Sequence, residues 1–71
     1  MVTLLQTTNP VRLSFVQALL RDAGIHVDVF DANSSALEAG IGAFPRRLMV
    51  DRARWLTAKT ILTDAGEFYD D

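Results

Sequence analysis

The chain has 71 residues, no cysteine, one histidine and a formal net charge of -2. A chain of this size is one small domain that buries only about 60% of the surface its unfolded form exposes, and the missing thiols exclude disulfides and thiolate metal sites as staples. The slightly acidic balance lacks the basic surface of a nucleic-acid binder, and no window approaches the ~20 apolar residues of a membrane span.

Self-association is therefore the staple expected, and the chain reads as a homo-oligomer. No basic n-region precedes a sustained apolar run at the N-terminus, so no signal peptide is read. A hydrophobic content of 49% is far from the disordered class. The expectation is a soluble, cytoplasmic, globular domain with neither nucleic acid nor membrane as partner.

Val2 to Thr8 is rich in β-branched and apolar residues and predicts a first strand. Asn9-Pro10 ends it, with asparagine as N-cap and proline at the first helical position, where its missing N–H costs nothing. The helix that follows is expected to run to about Ala23 and to close on Gly24. Val11, Phe15, Ala18, Leu19 and Asp22 make a mostly apolar stripe, with Leu13, Val16 and Leu20 as a second column beside it. Arg12, Gln17 and Arg21 are assigned to the wet side. Ile25 to Asp31 alternates as a second strand, with Ile25, Val27 and Val29 facing the helices and His26, Asp28 and Phe30 facing out.

Residues 31–45 form a long connection, and such lengths often carry function. Ser35-Ala36-Leu37-Glu38 within it matches a capping box. Arg46 to Val50 predicts a third strand, with Leu48 and Val50 on one face and Arg47 and Met49 on the other. Asp51 is expected to cap a last helix carrying Trp55, Ala58, Leu62 and Ala65 on one face, closed by Gly66. Glu67 to Asp71 is expected as a flexible acidic tail, although Phe68 and Tyr69 have the apolar surface to pack back.

The order β-α-β-β-α suits a split β-α-β arrangement, a ferredoxin-like α+β sandwich over residues 1–71. The sheet is three-stranded and antiparallel, with strand three in the middle and both helices on one face. Strand one is then left as an edge, which invites pairing with another chain.

Two surfaces are candidates for function. Gly40 and Gly42 allow close backbone approach, and Arg46 and Arg47 offer forked donors for a small anionic ligand. The plainer alternative is a turn followed by solvated arginines; the phosphate-loop Gly-Lys-Ser/Thr is absent. The second surface is the open sheet face, where Leu5, His26, Asp28, Phe30, Arg47 and Met49 together suit an interface. His26 pairs with Asp28 along the strand, and no activated nucleophile accompanies it. No metal-ligand motif is present. The chain is read as neither an enzyme nor a cofactor carrier.

One resemblance covers nearly all residues. Thr7-Thr8-Asn9-Pro10, Phe15 to Ile25, Val29 to Asn33, Gly40-Ile41-Gly42, Pro45 to Val50 and Ala53-Arg54-Trp55-Leu56 together resemble a bacterial family of prokaryotic signal-transducing proteins. That family is similar in fold to the ferredoxin-like PII regulators, which bind nucleotide and small effectors as trimers. The resemblance implies a small signalling or regulatory module that recognises an anionic ligand or a partner protein. This chain lacks the long exposed PII loop, so no PII ligand residue carries over. The alternative is a pure interaction or oligomerisation module without ligand.

Overall fold

The computed structural model describes residues 1–31 and 45–71. Strands β1 (Val2–Thr7), β2 (Val27–Asp31) and β3 (Arg46–Val50) form one sheet in the order β1-β3-β2, with α1 (Pro10–Asp22) after β1. A 3₁₀ turn, Arg52–Arg54, leads into α2 (Trp55–Asp64). Both pairings are antiparallel. This is the expected α+β arrangement, with β3 central. Its residues Leu48 and Val50 are fully buried, because neighbours flank them on both sides of the ladder and the helices cover them.

Local chemistry sets the boundaries. The Asn9 side chain accepts from the Val11 and Arg12 amides, at 3.0 and 3.2 Å, so it caps α1 as expected. The helix closes with Gly24 at φ 78°, the Gly24 amide bonding Arg21 O and the Ile25 amide bonding Leu20 O. That pair of bonds satisfies two orphan carbonyls and draws buried Ile25 against buried Leu20. Helix α2 ends in the same way at Gly66, φ 72°, with Gly66 N–H to Thr63 O and Glu67 N–H to Leu62 O. Asp51 differs from expectation. Its side chain caps nothing, and its carbonyl instead closes the 3₁₀ turn by accepting from the Arg54 amide.

Three other expectations need correcting. The core side of α1 is the second column, Leu13, Val16 and Leu20, whereas Val11 is 77% and Phe15 50% exposed. Both columns were apolar, and the sheet selected the one in phase with Arg12. Leu5 does not lie on the open face. The β1–β3 register shifts between Thr3 and Leu5, making Leu4 an extra residue, and both Leu4 and Leu5 enter the core. A bulge of this kind breaks strict alternation and turns the rest of the strand over. Finally, Arg12 is not on the wet side but 7% exposed.

The core is built from Leu4, Leu5, Leu13, Val16, Leu20, Ile25, Val27, Leu48, Val50, Ala58 and Leu62. Residues 67–71 fold back over the edge of β1 and are called the strap below. Phe68 meets the Trp55 ring edge-on, with centroids 6.1 Å apart. Among the described residues, no helix is long and apolar enough to cross a membrane.

Candidate functional site

The face of the sheet away from the helices carries the outward residues of all three strands. Register fixes two rows across it. Gln6, Arg47 and Phe30 stand side by side, and Thr3, Met49 and Asp28 form the next row. Phe30 is 47% exposed, and Arg47 and Gln6 are also exposed. His26, just before β2, holds its Nε2 3.5 Å from Asp28 Oδ2, with both side chains open to solvent. Five of the six residues expected on this face are therefore brought together, and Leu5 is the exception. An aromatic ring, an arginine and a methionine framed by polar groups match the composition of interface centres.

The arginine pair is not brought together. Arg46 is in register with Thr7 and Asp31, and Arg47 with Gln6 and Phe30. Successive strand residues point to opposite faces. Thr7 is buried on the helix side at 1% exposure, so Arg46 shares that side while Arg47 faces out. The two side chains thus leave the strand in opposite directions. Gly40, Gly42 and the Ser35–Glu38 capping box lie outside the described residues. Among the described residues, no group of three or more His, Asp or Glu side chains is placed to hold a metal ion.

Among the described residues, one densely bonded polar group is a side chain assigned to solvent from the sequence. Arg12 Nε donates to Glu67 Oε1 and Nη1 to Asp71 Oδ1, both at 2.9 Å. Nη2 donates to the carbonyls of Glu67 and Tyr69. The guanidinium carbon lies 3.7 Å from the Tyr69 ring centroid, so the cation stacks on the ring. Burial works against the charged form. The hydrogen bonds to Glu67 and Asp71 and the nearby charges of Tyr69 and Asp71 outweigh it, and the Arg12 pKa is raised.

A signal for this was present in the sequence. Arg12 stands in the first turn of α1, where the helix dipole disfavours a cation and no acidic residue accompanies it. A cation placed against that rule needs carboxylates from elsewhere, and the acidic tail was the available source.

The strap also closes the outer edge of β1. Gln6 N–H donates to Asp70 Oδ1 at 2.9 Å, and Gln6 O accepts from the Asp71 amide at 3.0 Å. Thr8 Oγ1 donates to the Asp71 carbonyl, and Trp55 Nε1 donates to Thr3 O at 3.1 Å. The edge expected to be bare is thus occupied by the chain itself.

Residues 1–66 match the family described as "Putative prokaryotic signal transducing protein". The chain belongs to this family. No curated protein and no solved structure matches it. The match spans β1 to β3, α1 and α2 and stops at Gly66, just before the strap. The family description points to a signal-transducing role, and the fold common to that span is the sheet with one open face.

Proposed function

We propose that this family member transduces signals by contact, as a cytoplasmic homo-oligomer whose open sheet face meets the same face of a second copy. The observation that carries this reading is the row Gln6, Arg47, Phe30, with Met49 and Asp28 behind it. The face carries both charge signs, Arg47 and Asp28. A two-fold contact is self-complementary, so an arginine on one copy can meet the aspartate of the other. Phe30 supplies the apolar centre. In this reading the chain carries no catalytic step and no cofactor, and a regulatory partner protein would act by competing for the same face.

A small anionic ligand is the second reading. It rests on Arg47, directed to the open face, together with Gly40 and Gly42, whose lack of a side chain allows close backbone approach. Arg46 leaves the strand on the other side, next to Thr7 in register.

Analytical ultracentrifugation separates the two. Wild-type chain is expected to associate with rising concentration, and Phe30→Asp to sediment as a folded monomer, its circular dichroism unchanged. Wild-type chain that stays monomeric at millimolar concentration would sink the contact reading. Amide NMR titration with nucleotides and small carboxylates tests the second, with shifts around Arg47 as its required outcome.

A further inference from the structure

The strap contacts form one continuous site built from the remainder of the chain. Its floor is the free edge of β1, with Gln6 presenting one donor and one acceptor. Its wall is Arg12, a guanidinium whose side chain is 6% exposed. The occupant is extended and acidic: Glu67 and Asp71, four residues apart, supply carboxylates to Nε and Nη1, and Asp70 supplies a third to Gln6. Edge pairing by an extended segment, with side-chain chemistry fixing its register, is a recurring mode of peptide recognition.

We infer that this groove is a docking site for an acidic extended segment, held in cis by residues 67–71 and open to exchange with the same segment of a second copy. Four features favour a second copy over other occupants. The groove matches this sequence charge for charge. The strap both covers Arg12 and supplies its two carboxylates, so a displacing segment restores those charge-assisted bonds only by bringing carboxylates of its own. Exchange of identical segments remakes in trans the strap's bonds to Arg12 and Gln6. The pivot is Gly66, exposed, at φ 72°, with nothing within 4 Å of where a Cβ would stand, and turning there opens the Glu67 N–H bond to Leu62 O. This site lies on the sheet edge and does not depend on the open-face reading.

The absence of cysteine makes a direct test simple. Full-length chain carrying Ser14→Cys, an exposed position on α1, is spin-labelled, left without ¹⁵N and mixed with ¹⁵N-labelled wild-type chain. Exchange predicts broadening of the Tyr69 and Asp71 amides of the labelled chain, growing with concentration. Pairing through the open face alone would broaden Phe30 and Met49 in preference, because α1 lies behind the sheet.

A second arm adds the acetylated peptide Glu-Phe-Tyr-Asp-Asp to unlabelled-spin, full-length chain. It is expected to shift the Gln6 amide and the Arg12 Nε–H. The counterpart Gln-Phe-Tyr-Asp-Asn is expected to bind at least about tenfold more weakly, from the loss of two charge-assisted bonds. No broadening in trans at Tyr69 and Asp71 overturns the proposal, even if the peptide binds. Equal binding of the two peptides overturns the role given to Arg12.

Discussion

Arg12 shows how one side chain can organise two distant parts of a chain. Its partners lie 55 to 59 residues away, and it uses four hydrogen bonds and a ring face to hold them. The planar fork is what allows this, since an ammonium is a compact point charge with differently directed donors. Arg12→Lys is therefore expected to lower the unfolding free energy by about 1–3 kcal/mol, read as a lower urea midpoint with an unchanged slope. An unchanged midpoint would mean that the charge alone suffices. Because the folded pKa is raised, the stabilisation is fully present below the unfolded value and is lost only as pH rises through the folded one. Both lie in strongly alkaline solution, so Arg12 itself adds no slope to stability across the neutral range.

At the scale of elements, the bulge in β1 decides which residues are core and which are surface. Leu5→Ala is expected to cost about 2–5 kcal/mol, as a large-to-small change in a packed interior. Phe30→Ala, on the open face, is expected to cost less than about 1 kcal/mol to the isolated fold. Chemical denaturation of both variants checks this, and equal losses would contradict the register. The same bulge shows what was legible in the sequence. Asn9-Pro10, Gly24, Gly66 and the run Arg46 to Val50 each announce themselves through backbone chemistry, and all four fall where expected. Leu5 was misplaced because alternation was carried unbroken through a strand that contains an extra residue. The face of α1 was ambiguous because two adjacent columns are apolar, and only the sheet chooses between them. The split of Arg46 from Arg47 was implicit in strand alternation, whereas the strap rests on contacts between residues more than fifty positions apart, whose local trace is a cation in the first turn of α1 with no acidic neighbour.

At the scale of the molecule, the protected β1 edge is the feature that matters. The β1 edge is covered by the strap and the Trp55 indole, which removes it as a template for uncontrolled strand pairing. The cover is thin and mostly polar, so it should open without unfolding the core. Amide hydrogen exchange is expected to place Gln6 and Asp71 in one class with a common opening free energy. The central-strand amides of Leu48 and Val50 should exchange only through global unfolding. A Gln6 amide that exchanges at the unprotected rate would show that the strap does not hold the edge in solution.

The Gly66 turn also has a consequence for how the molecule is made. A ribosome delivers residues 67–71 after both helices and all three strands have been synthesised. Until then, the sheet and apolar core can assemble while the Arg12 guanidinium, without the strap atoms that cover it, stays in water. The strap therefore docks after the core it covers, and order at Arg12 and along the β1 edge arrives later than order in the apolar interior.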